Sequence, residues 1–211
     1  MKKSFLVSLF FLYILFFDFS SKAFALVELR AHYGFSKPSQ NISELCSACS
    51  NSSVVPGMPS NNGIGADLIV SLPAPLERIG IGARYENSGF SSLSQGLETR
   101  ASHIRTAVLV NYRLINQLIF FGPIATYGLS HSGSFDITEN TVKLYEYAAD
   151  QARSYSIGAE AGFRLIAFTI TAEAGYLDER WQDAKNSVSS GLTKDINFSG
   201  TYAKIHLGFA Y

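Results

Sequence analysis

Four histidines, two cysteines and a series of charged residues two positions apart are the parts of this 211-residue chain able to do chemistry. Cys46-Ser-Ala-Cys49 has a two-residue gap, which permits a disulfide, a redox pair or half of a metal site. No second cysteine pair and no neighbouring histidine completes a zinc site, so a loop-pinning disulfide is the expected state. Ser130-His131-Ser132, followed by Ser134, Asp136 and Glu139, sets an imidazole beside hydroxyls, the pairing that activates a nucleophile. Ser132 directly follows His131, however, and on a strand the two point to opposite faces. The third group is larger and electrostatic: Glu28, Asp67, Glu86, Glu160 and Glu173 against Arg30, Arg84, Arg105, Arg113, Arg164 and Lys204. No cofactor follows from any of these groups.

The elements carrying the charges alternate with period two. Val27, Leu29, Ala31, Tyr33 and Phe35 alternate with Glu28, Arg30, His32 and Gly34, giving one strand with an apolar and a polar face. The same pattern recurs over residues 64–72, 79–86, 104–113, 155–164, 168–176 and 204–211, with Ile69 breaking the rule. Residues 118–130 are apolar on both faces, and Pro123 cannot donate to a ladder; Phe121, Ala125, Tyr127 and Leu129 are assigned outward there. That makes eight strands. The connections between them alternate long and short: 37–61, 73–77, 88–101, 114–117, 131–152, 165–167 and 178–197. A soluble sandwich has no reason to put every long connection at one end, whereas a transmembrane barrel with short periplasmic turns and long external loops requires it. The long segments are rich in Ser, Asn and Gly and read as solvated tips.

Beyond residue 25 no apolar run is long enough for a membrane helix, and in hydrocarbon only helices and closed barrels satisfy every backbone group. An aromatic ends most apolar faces (Tyr33, Phe35, Tyr85, Tyr112, Phe163, Phe168, Tyr176, Tyr211), where an interfacial girdle places it. The fold class is therefore all-β: an eight-stranded antiparallel up-and-down transmembrane β-barrel, its polar face turned into the lumen. Charges taken out of bulk water persist when paired, so the eleven named side chains are expected to form an interior ion-pair network that plugs the barrel. Arg30, Asp67, Arg84, Glu160, Glu173 and Lys204 should lie near mid-depth, with His32 and His206 at similar height on the first and last strands.

The last strand, Thr201 to Tyr211, has apolar residues at every second position, Ile205, Leu207 and Phe209, and ends on the aromatic Tyr211. It resembles the C-terminal targeting signal of bacterial outer-membrane barrels, and residues 26–211 as a whole resemble the small eight-stranded outer-membrane proteins of the OmpA/OmpX/OmpW type. The resemblance implies insertion by the barrel-assembly machinery, residence in the outer membrane among its lipids and lipopolysaccharide, and a structural or surface-interaction role through the external loops. It is one of pattern and termini. Lipid A-modifying barrels also place a histidine and a serine at the external rim, but His131-Ser132 departs from their His-x-Ser spacing, so no enzymatic activity is expected. A narrow pore is the alternative function.

Residues 1–25 have the three parts of a secretory signal: Lys2 and Lys3, an apolar run from Phe5 to Phe17 stopped by Asp18, and Ala23-Phe24-Ala25 as a cleavage site. Its removal takes Lys2, Lys3, Lys22 and Asp18, and turns a balance of 17 basic and 17 acidic residues into a slightly acidic mature domain, 26–211. That balance excludes nucleic-acid binding by bulk positive charge. A content of 47% hydrophobic with only 16% charged residues suits a protein whose outer face meets lipid.

Overall fold

Eight amphipathic strands with no helix to cover them leave two exposed edges unless the sheet closes on itself. The computed structural model closes it. Residues 26–45, 58–94, 96–139, 141–149, 151–188 and 193–211 are described; the expected signal peptide and the Cys46/Cys49 pair lie outside them. The strands are β1 (Val27–Pro38), β2 (Asn61–Ser71), β3 (Ile79–Ser94), β4 (Leu97–Tyr112), β5 (Ile115–Asn116), β6 (Ile119–Glu139), β7 (Val142–Ala148), β8 (Ala152–Leu165), β9 (Phe168–Lys185), β10 (Thr193–Asn197) and β11 (Gly200–Ala210). Eight of them form an antiparallel ring in the order β1, β2, β3, β4, β6, β8, β9, β11. The ring is sealed by β11 against β1, down to reciprocal 2.8 Å backbone bonds between Val27 and Tyr211. The short strands are additions at the rims: β5 pairs with the start of β6, β7 with the end of β6, and β10 with the end of β9.

Outward side chains mark the membrane. Residues 27–35, 64–71, 79–85, 104–112, 119–129, 155–165, 168–176 and 203–211 present Leu29, Ile64, Ile81, Val108, Ile157 and Ile170 among many exposed apolar groups. Six of the eight segments match the roughly 9–11 residues with which a tilted strand crosses hydrocarbon, and 64–71 and 79–85 are slightly shorter. Tyr33, Phe35, Tyr85, Tyr127, Tyr155 and Tyr176 are exposed at one edge of this band; Tyr112, Phe168, Phe209 and Tyr211 are exposed at the other. On residues 119–129 the outward set includes Phe121, Tyr127 and Leu129.

The strands do not stop at the girdle, which corrects the reading of three long segments as solvated loops. β3 and β4 run to Ser94 and from Leu97; β6 continues to Glu139 and folds back as β7; β9 continues to Lys185 and folds back as β10. The physical reason is an inversion. Where lipid gives way to water, the inward positions become apolar: Phe90, Ala101, Phe135, Ile137, Trp181 and Ile196 are buried together with Ile42 and Leu45 of a short 3-10 turn (Ile42–Glu44) in the first connection. The apolar cluster thus sits inside the extended end of the barrel as a lid over the lumen. Of the long connections, 37–61 carries strand only at its two ends over its described part.

A β-bulge makes this inversion possible on β6. Thr106 pairs with Ser130 while Ala107 pairs with Gly128, so Leu129 is the extra residue and both Leu129 and Ser130 face out. Below it the inward residues are even-numbered (Phe120, Ile124, Thr126); above it they are odd-numbered (Phe135, Ile137).

Candidate functional site

The lumen is where the chain concentrates its buried charge, and the inward parity of each strand puts all eleven charged side chains named from the sequence there. They do not form one plane. At the short-turn end, Arg30 donates to Glu28 (2.8 Å) and to Glu160 (2.7 Å); Arg113 donates to Glu28 (2.7 Å) and Glu160 (3.2 Å), and Asn111 adds a bond to Glu160 of 2.6 Å. The buried ring of Phe120 is the floor for three guanidiniums, with Arg113 4.3 Å, Arg164 5.7 Å and Arg30 5.8 Å from its centroid. Gly162 leaves room for that ring, since a Cβ there would come within 2.5 Å of it. Arg164 makes no ion pair among the described residues, and its Nε and Nη2 are buried without a hydrogen-bond partner.

The middle layer turns on Arg84. It forks onto Asp67 (2.7 and 2.9 Å) and onto Glu173 (2.9 and 2.7 Å), using Nε, Nη1 and Nη2. His206 sits against both acids, 3.1 Å from Glu173 and 3.4 Å from Asp67. His32 lies 3.6 Å from Asp67 and 3.5 Å from Glu86, and the two imidazoles are 5.0 Å apart. His32, Asp67 and His206 have the side-chain types and closeness of a metal site. The donor set does not fit a cation, because both Asp67 oxygens are taken by the Arg84 guanidinium.

In the upper layer Glu86 accepts from Arg105 (2.6 Å) and from Lys204. Arg105 also donates to Ser154 and Thr126 (2.6 Å each). Ser154 is the hydroxyl that His131 finds, at 2.9 Å, instead of Ser130, Ser132 or Ser134 on its own strand. The bulge turns His131 inward, and Gly128 leaves space for its ring, which a Cβ would approach to 2.5 Å. His131 stacks on His103 (5.6 Å), His103 lies 3.0 Å from Glu179, and the indole N–H of Trp181 donates to Glu179 at 3.1 Å. These groups stand above the spanning segments. Burial raises the Glu179 carboxyl to about 7, and burial, helped by the Arg105 charge, lowers His103 to about 4. Beside this layer remains a cavity of about 50 Å3, reached by Glu86, His103, Arg105, Tyr202 and Lys204.

The six side chains expected together at mid-depth are thus divided over three layers. Register sets Arg30 directly opposite Asp67, yet Arg30 takes Glu160 from across the lumen, and Lys204 belongs with Glu86 rather than with Arg84. Glu179 went unseen in the sequence because 178–197 reads as a loop; its signal is parity, since Glu173, Gly175, Leu177, Glu179 and Trp181 occupy successive inward positions. With Glu179 counted, the lumen holds six acids and six bases.

A closed antiparallel ring of eight strands has counterparts among solved structures. The crystal structure of Ail, the attachment invasion locus protein of Yersinia pestis, superposes with a TM-score of 0.53 at 10% identity, over 89% of this chain and 99% of that one. The fold is that of the small outer-membrane β-barrels. A second structure of Ail, in complex with the heparin analogue sucrose octasulfate, gives 0.52 over the same shares at 10% identity. A major outer membrane protein from Thermus thermophilus gives 0.48 at 11% identity, over 89% of this chain and 98% of that one. No protein-family model and no curated protein sequence matches the chain.

Proposed function

We propose that this chain is an integral barrel of the bacterial outer membrane whose lumen is closed and whose work is done by the surface that its long strands raise outside the membrane. The observation that carries this reading is the double closure of the lumen. Five acids and five bases fill it as paired layers, with Arg164 stacked at one end and Glu179 against His103 at the other, and the cluster around Trp181, Phe135 and Phe198 covers its extended end. A conducting path needs continuous water, and the lumen cavity among the described residues is about 50 Å3, space for a few water molecules. The small cavity supports closure over the narrow-pore alternative.

The role is structural or interactive. The extensions of β3, β4, β6 and β9 with β7 and β10 form a folded, hydrogen-bonded platform rather than loose tips, and a rigid surface binds without a large ordering cost. Ail, by its name, is an attachment invasion locus protein, and its likeness in fold supports a surface-interaction role for this chain. A lipid-modifying hydrolase is disfavoured by Arg105, whose guanidinium donates to the Ser154 hydroxyl at 2.6 Å and, by drawing on one of its lone pairs, makes it a weaker nucleophile.

Planar-bilayer recording of the refolded barrel tests closure: a silent membrane is expected, and stepwise currents would overturn it. Exchange of 88–101 and 131–152 for Gly/Ser segments of equal length tests the surface role. Loss of whole-cell binding to host or matrix targets, with the barrel still in the outer membrane, is the expected result; unchanged binding would leave a structural barrel.

A further inference from the structure

The barrel wall is incomplete at one place. Pairing of β6 with β8 ends at Tyr127 and Tyr155, and β6 is next paired only from Ser134, with Ala148 of β7. Beside the point where this pairing ends, an outward-opening cleft of about 350 Å3 is lined by Tyr127 of β6 and by Arg153, Ser154, Tyr155, Asp178 and Arg180 of β8 and β9. Two features of the cleft lack an internal explanation. Arg153 and Arg180 are directly opposite each other on β8 and β9 and both exposed, a like-charge cross-strand pair that is destabilising by itself. Only one of them is neutralised: Arg180 donates to Asp178 through Nε and Nη2 (3.0 Å each), whereas Arg153 has no carboxylate partner among the described residues. Asp178 is saturated by Arg180, by the Tyr155 hydroxyl (3.0 Å) and by Ser199 (3.2 Å), so it orients Arg180 without cancelling the second guanidinium.

We propose that this cleft holds the phosphate of a phosphorylated glycolipid of the outer leaflet. The site rests on the barrel standing in an outer membrane, and its height fits. Tyr155 and Tyr176 mark the edge of the apolar band, and the two arginines occupy the outward positions just beyond it, where lipid headgroups lie. Guanidinium forks match phosphate oxygens in pairs, and a phosphate between the two removes their mutual repulsion. Tyr127, Tyr155 and Ile157 are exposed below them and give the acyl chains an apolar track. The cleft begins next to the Leu129 bulge, at the level where β6 stops pairing with β8.

Native mass spectrometry of the full mature barrel in detergent, with diphosphorylated lipid A and its dephosphorylated form as probes, tests the site. The barrel is expected to retain the phosphorylated lipid, the R153Q/R180Q variant to bind it at least tenfold more weakly, and R100Q, at an exposed arginine of β4, to bind as the parent does. Equal binding of the dephosphorylated lipid, or equal binding by the double variant, would overturn the proposal. Because R153Q/R180Q alters packing as well as charge, R153K/R180K is measured beside it: heat-modifiable migration must be kept, and affinity must fall severalfold because the forks are gone. Fractionation of cells separately tests residence in the outer membrane, so failure of either reading is recognisable.

Discussion

Arg84 on β3 and Glu173 on β9 are joined by two parallel bonds of 2.9 and 2.7 Å across the full diameter of the barrel. β9 stands opposite β3 in the ring, equally far from it in either direction, so the pair is a strut and not a wall contact. Removing one member of a buried pair leaves the other uncompensated, at a cost of about 3–5 kcal/mol. R84A therefore should lower the stability of the barrel in lipid vesicles by that much in urea titration, since Asp67 loses its partner too. R84M with D67N and E173Q should recover most of the loss, because nothing charged is stranded. A midpoint for R84A equal to the parent's would remove the strut from any account of stability.

Trp181 is the chain's single tryptophan and is fully buried, so intrinsic fluorescence reports the lid alone. Emission of the folded barrel should be blue-shifted and resistant to iodide and acrylamide. W181A should expose the upper layer and cost about 3–5 kcal/mol. Ready quenching of the parent protein would mean that the lid is not closed.

The Glu179–His103 pair makes a signed prediction for pH. Glu179 is raised to about 7, so its contribution is fully present below its ordinary value of 4.5 and is lost as pH rises through 7. His103 is lowered to about 4, so its contribution is present above 6.5 and is lost as pH falls through 4. Between roughly pH 4.5 and 6.5 the two slopes oppose each other, and the parent should be nearly flat. E179Q should become less stable as pH falls from 6.5 to 4, and H103N less stable as pH rises from 4.5 to 7, each by on the order of 1–3 kcal/mol. Parallel pH profiles for the two variants would contradict the pairing.

Gly128 faces the His131 ring with no room for a methyl group. G128A should displace His131 from Ser154 and destabilise the barrel by about 1–3 kcal/mol, read by urea titration. The effect should shrink in the background of H131A, and full additivity of the two changes would separate the glycine from the histidine.

Phe209 and Tyr211 close the last strand with exposed rings at the end of the apolar band. Replacing both with serine should reduce the amount of folded barrel reaching the outer membrane far more than it reduces stability of protein refolded in detergent. Equal losses in both assays would assign these residues to packing rather than to recognition by the assembly machinery.

The membrane part of the fold was legible because lipid imposes one rule on every strand: Leu29, Leu68, Ile81, Val108, Ile157, Ile170 and Leu207 all follow it, and all are exposed on the outer wall. Beyond the girdle the rule reverses. Phe90 and Phe135 stand among serines and glycines and Trp181 among charged residues, and without knowing where lipid ends their spacing reads as loop. Residues 118–130 were ambiguous for a related reason, since Phe120 and Ile124 make the inward face apolar as well. Partner choice inside the lumen was not legible at all. Glu160 and Glu173 are direct cross-strand neighbours, yet one is claimed by Arg30 and Arg113 and the other by Arg84, a division set by side-chain reach across the bore.

The extra residue at Leu129 behaves as a parity switch. Adding or deleting two residues in the upper part of β6 would leave every later side chain on its own side, whereas a change of one would turn Phe135 and Ile137 out to water and send Ser134 and Asp136 into the lid. Natural length variation above that point should therefore come in even steps, and any transplant of the raised platform onto another barrel has to carry the bulge with it.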